Sequence, residues 1–76
     1  MNNQKRKELN RATELLEQAK EIIESVLDEE QEGFDNMTEG LQQTERGQAM
    51  EEAIGNLEEA IDSIDEAIDY VEDASI

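Results

Sequence analysis

Glu52-Ala53-Ile54-Gly55-Asn56-Leu57-Glu58, Glu59-Ala60-Ile61-Asp62-Ser63-Ile64-Asp65 and Glu66-Ala67-Ile68-Asp69-Tyr70-Val71-Glu72 are consecutive copies of one seven-residue pattern, acid-Ala-Ile-x-x-aliphatic-acid, and Asp73-Ala74 begins another. With Ile54, Ile61 and Ile68 at position a, Leu57, Ile64 and Val71 take position d, and Met50 extends the d column upstream. Alternating steps of three and four keep these residues on one face of a helix. Ala53, Ala60, Ala67 and Ala74 fall at g, beside that face.

Upstream, from about residue 3 to residue 32, the same spacing recurs less cleanly. Leu9, Leu16 and Ile23 sit at a; Ala12, Ala19 and Val26 at d; Leu15 and Ile22 at g. The first segment is thus large at g and mostly small at d, and the second is the reverse. In an antiparallel pair the two g columns face each other, so large would meet small, as close packing requires. Charge favours the same orientation. The first segment starts with Lys5, Arg6, Lys7 and Arg11, and the second ends with Asp65, Glu66, Asp69, Glu72 and Asp73. Each has the wrong sign for its own helix dipole, at ~0.3–1 kcal/mol per charge near an end. Folding back sets the two ends side by side.

The expected fold is all-α: one domain over residues 1–76, an antiparallel helical hairpin of coiled-coil character. The first helix is expected over about 3–32, a loop or short helical turn over 33–44, and the second helix over about 45–74. Gly33 is read as the C′ stop of the first helix. Thr38 is read as the start of a turn over Glu39–Gln43, and Thr44 as the N-cap of the second helix with Glu45 in its first turn. Phe34, Met37 and Leu41 are expected to cap that end, and Gly47, early in the second helix, makes the helical signal locally less clear. A core this small is marginal in a 76-residue chain. The apolar stripe covers three positions of seven, wider than a two-stranded seam needs. A homodimer forming a four-helix bundle is the simplest cover.

Composition excludes several classes of function. There is no Cys and no His, which removes disulfides, the usual zinc ligands and the commonest general base. No nucleophile has a base partner, so the chain is expected to be non-enzymatic, with no cofactor and no metal. Formal net charge is −16, from 22 acids against 6 bases, which disfavours direct contact with nucleic acid or anionic membranes. The basic start Met1–Lys7 has no apolar stretch behind it and is not read as a signal peptide. The cytoplasm of a bacterial host cell is the expected location.

The acids of the second helix are the candidate binding residues. Position e reads Glu51, Glu58, Asp65, Glu72; position f reads Glu52, Glu59, Glu66, Asp73; Asp62 and Asp69 stand at b. Residues 58, 62, 65, 69 and 72 form a ridge whose charges rise ~4.5–6 Å per step, near the phosphate spacing of one nucleic-acid strand. Glu14, Glu17, Glu21, Glu24, Asp28 and Glu29 offer a second row on the first helix. Such a pair of rows would suit a DNA mimic that occupies the basic surface of a nucleic-acid-binding or defence protein. A run of charge more ordinarily means a solvated face. However, like charges four apart on a helix repel, no Lys or Arg follows Arg46, and surfaces selected for solubility mix signs. The cluster Asp28–Asn36 lacks calcium-loop spacing, so specific cation binding there is not expected. Tyr70, at position c, is a candidate contact residue. The alternative function is a structural adaptor that bridges proteins through leftover apolar surface.

The stretch Asp28-Glu29-Glu30-Gln31-Glu32-Gly33-Phe34-Asp35-Asn36-Met37-Thr38-Glu39-Gly40-Leu41-Gln42-Gln43-Thr44-Glu45-Arg46-Gly47, followed by Met50-Glu51-Glu52-Ala53-Ile54, resembles a group of short acidic proteins. They occur in bacteriophages and mobile elements, mostly of Gram-positive bacteria, and usually carry no assigned function. The resemblance spans about two thirds of the chain. Members often carry Pro where Thr38 stands here, and both residues suit the start of a helical turn. The resemblance implies a phage-associated setting, and with it inhibition of host or defence machinery, but assigns no binding residue.

Overall fold

The computed structural model describes residues 1–76, nearly all of them helical: α1 (Asn3–Asp35), α2 (Glu39–Gln42) and α3 (Glu45–Ala74). α1 and α3 lie against each other in opposite directions. At the open end the Met1 ammonium donates to the Ile76 carbonyl at 3.1 Å. At mid-length Lys20 Nζ meets Asp65 Oδ1 at 2.7 Å. The result is a rod of 58 × 15 × 13 Å.

Capping explains where the helices begin. Asn2 Oδ1 accepts from the Lys5 N–H, and Thr38 Oγ1 from that of Leu41. Thr44 Oγ1 accepts from Gly47 N–H at 3.2 Å, as an N-cap should, and also donates to the Leu41 carbonyl at 2.6 Å. One hydroxyl therefore closes α2 and opens α3. Gln42 Nε2 donates to the Phe34 carbonyl at the α1 C-terminus, an oxygen that also accepts from the Met37 N–H at 3.1 Å.

Of the two glycines near the turn, Gly33 acts differently from its sequence reading. Gly33 does not stop α1, which continues to Asp35, and no glycine has a positive φ. Gly33 instead lies within α1 where a Cβ would stand 3.2 Å from Met50 Cε, so its small size admits the α3 side chain. Gly47 is buried against the Gln42 backbone. A Cβ there would lie 2.6 Å from Gln42 Cα and 2.5 Å from its carbonyl carbon. The backbone of α2 packs directly on the first turn of α3.

Ile54 and Ile68 are the buried apolar side chains. Leu9, Leu16, Ile23 and Leu27 of α1 are half-buried, as are Met50, Leu57, Ile61, Ile64 and Val71 of α3. The facing of the g columns is overturned on α1. Leu15 and Ile22 remain 55% and 67% exposed, while residues at e, including Lys20 and Leu27, turn inward. α1 is rotated about its axis by roughly one column relative to the expected seam. The physical reason is that Leu27, Phe34 and the Lys20–Asp65 pair are all gained on the e side. Leu41 is likewise exposed and does not close the turn end, whereas Phe34 and Met37 are half-buried there.

Candidate functional site: an acidic groove between the long helices

The e and b positions of both helices lie on one flank of the hairpin, because antiparallel helices bring e beside e. There the structure forms a groove of about 500 Å³ lined by Glu17, Lys20, Glu21, Glu24, Asp65, Ile68 and Asp69. Five carboxylates therefore surround one ammonium. Glu17, Glu21 and Glu24 come from α1, Asp65 and Asp69 from α3, and the buried Ile68 forms the floor.

Lys20 is the centre of this arrangement and the residue that sequence reading missed. Its ammonium is held above the ordinary lysine value of 10.5, chiefly by the hydrogen bond to Asp65. Partial desolvation opposes this, and the charges of Asp65, Glu24 and Glu17 reinforce it. The signal was available: Lys20 is at e on a helix whose partner carries acids at e.

Of the sequence-predicted residues, Asp65 and Asp69 reach the groove. Asp65 is not a free acid, since its carboxylate is engaged by Lys20. Glu51, Glu58, Asp62 and Glu72 are exposed along the same side of α3, and Glu59, Glu66 and Asp73 are exposed on its back. The ridge is thus solvent-facing apart from Asp65. On α1, Glu14, Glu17, Glu21, Glu24, Asp28 and Glu29 are all exposed. The basic start of α1 does lie beside the acidic end of α3, but Lys20–Asp65 is the one ion pair that forms. Arg6 bonds Asn3 of its own helix. In the Asp28–Asn36 stretch no three acids converge.

Chemically, the groove presents two rows of carboxylates on a rigid double-helical frame. It is suited to receiving cationic groups. No helix is long and apolar enough to cross a membrane. No protein-family model, curated protein or solved structure matches the chain.

Proposed function

We propose that the chain is a non-enzymatic binding protein that acts stoichiometrically on a basic protein surface. The observation that carries this reading is the groove: two facing rows of acids with Lys20 as their one internal cation. The remaining carboxylates form no ion pair within the molecule, and like charges on neighbouring turns favour a cationic partner. The sharper form is a phage-encoded inhibitor that covers the nucleic-acid-binding surface of a host or defence protein, with the two rows in place of phosphates. The resemblance to short acidic phage proteins supports that setting. A bacterial cytoplasm would be the place of action. The heptad columns are then the scaffold of a bundle that holds the rows at fixed spacing.

The test leaves Asp65 in place, because it holds Lys20. A variant carrying Glu21→Gln, Asp62→Asn, Asp69→Asn and Glu72→Gln is compared with the parent in capture from bacterial lysate. The comparison is made at ionic strengths of about 0.01 M and about 0.15 M. Four exposed pairs at about 0.2–1 kcal/mol each predict a loss of roughly 4- to 700-fold in affinity. Recovered proteins should carry basic surfaces and be released by salt. Recovery of partners without such surfaces, or retention by the neutralised variant, rules the reading out.

A second reading, a structural adaptor, is favoured by one observation: Leu15, Ile22 and Val26 stand exposed in a row on α1. An adaptor would tolerate the four neutralising changes and fail when that row is made polar.

A further inference from the structure

We propose that the flank opposite the acidic groove is a self-complementary interface through which two copies of this chain pair into a four-helix bundle. The proposal does not depend on what the acidic groove binds.

Leu15, Ile22 and Val26 are 55%, 67% and 44% exposed. With the small Ala19 between them they step by four, three and four residues, the spacing of a helix-packing seam. They belong to the g and d columns of α1, whereas the groove uses e and b. The seam and the groove therefore lie on opposite flanks.

Charge marks the same flank independently. The chain holds 22 acids, yet none occupies a g or c position of α1 from Arg11 to Val26, or of α3 from Ala49 to Ala74. On α1 the exposed neighbours of the seam are Gln18 and Ser25, with Arg11 one heptad further out; on α3 they are Asn56, Ser63 and Tyr70. Depletion of charge around an apolar centre, with an exposed Tyr, is the compositional mark of an interface core. The small g-column residues of α3, Ala53, Ala60 and Ala67, leave room beside the seam for large side chains of another helix.

Area gives the occupant its size. The accessible surface is 5790 Å², whereas a compact monomer of this mass exposes about 4,700 Å². The excess, roughly 1,100 Å², belongs to the whole elongated rod, and a standard interface on one flank, ~800 Å² per partner, would remove most of it. The radius of gyration, 17.2 Å, compares with about 11 Å for a compact domain of this length. A second copy has a seam of the same length, and along the seam from Leu15 to Val26 its acids point away from the contact. A cationic partner would meet acids on this flank only beyond the seam, at Glu8, Glu29 and Glu32.

Sedimentation equilibrium of the full chain at micromolar concentration should give twice the 8.6 kDa chain mass. Ile22→Glu buries an unpaired carboxylate in the interface and should weaken self-association by at least about a hundredfold. Because Ile22 is exposed in the hairpin, helicity at high concentration should persist. A second measurement does not depend on that variant folding. The chain has no Cys, so single thiols can be introduced by Ser63→Cys on the flank and Glu66→Cys on the back of α3. The Ser63→Cys thiol should react more slowly with maleimide, and the difference should vanish on dilution. A monomeric wild-type chain overturns the proposal. So does a dimer that withstands Ile22→Glu, or one in which both thiols react alike.

Discussion

Gly47 is the residue on which the hairpin turn depends, and replacing it with Ala tests that directly. The added Cβ would stand 2.5–2.6 Å from the Gln42 carbonyl carbon and Cα, where carbon atoms normally rest ~3.5–4.0 Å apart. Both opposing atoms are backbone, so about 1 Å of relief must come from moving α2 or tilting the first turn of α3. Overpacking of this kind costs about 1–3 kcal/mol. Removing a glycine from a helix returns up to about 1 kcal/mol, less in the first turn. The net loss is about 1–2 kcal/mol, against a total stability of roughly 4–11 kcal/mol for a chain of this length. At roughly 4–8 °C per kcal/mol, Tm should fall by about 5–15 °C. Gly55 is the control. Nothing lies within 4 Å of a Cβ there, so Gly55→Ala should stabilise by about 0.5–1 kcal/mol. Thermal melts by circular dichroism at one protein concentration measure both. If Gly47→Ala melts at or above the parent while Gly55→Ala behaves as expected, the close approach of α2 to α3 is not present in solution.

Two further outcomes follow from the same contacts. Thr44→Val removes a hydroxyl that both caps α3 and bonds the Leu41 carbonyl, and should lower the urea unfolding free energy by about 1–2 kcal/mol, with Thr44→Ser retaining most of it. Lys20 has a folded-state pKa above its unfolded value, so its stabilising contribution is fully present below about pH 10.5 and is lost as pH rises through the folded value. The urea midpoint of the parent should therefore fall more steeply above that pH than that of Lys20→Gln; parallel curves would mean that the Asp65 contact is not formed.

The helical pairing was legible because its signals are local and redundant. The repeat from Glu52 to Glu72 can be satisfied by a helix and by little else, and Thr38 and Thr44 announce caps whose hydrogen bonds form as expected. The rotation of α1 was not legible. Its apolar residues fill g, a, d and e between Leu15 and Leu27, so more than one face could serve as the inner one. The choice goes with contacts distant in sequence, the half-burial of Leu27 and Phe34 and the pairing of Lys20 with Asp65. Glycine was misread for a related reason. Sequence presents Gly33 as a helix stop and gives Gly47 no role, whereas their roles arise from Met50 and Gln42 standing opposite them. For the site, the acids were evident and the groove was not, since it exists only once e of one helix lies beside e of the other.

The two flanks should respond to salt in opposite directions, which separates their functions without identifying a partner. Two hairpins joined at the apolar seam have helix axes about 10 Å apart, and each acidic row extends a further 5–6 Å outward. The grooves of such a dimer are therefore about 20 Å apart. That is twice the Debye length of about 10 Å at 0.1 M and well within the 30 Å at 0.01 M. Repulsion between two chains of charge −16 opposes pairing at low salt and is largely screened at high salt, while the apolar seam is left intact or strengthened. Self-association should tighten as salt is added. Capture of a basic surface by the groove should weaken over the same range, because those charges attract across short distances and are screened. A single surface serving both roles would give one salt dependence, and two curves of the same sign would show that the flanks are not independent.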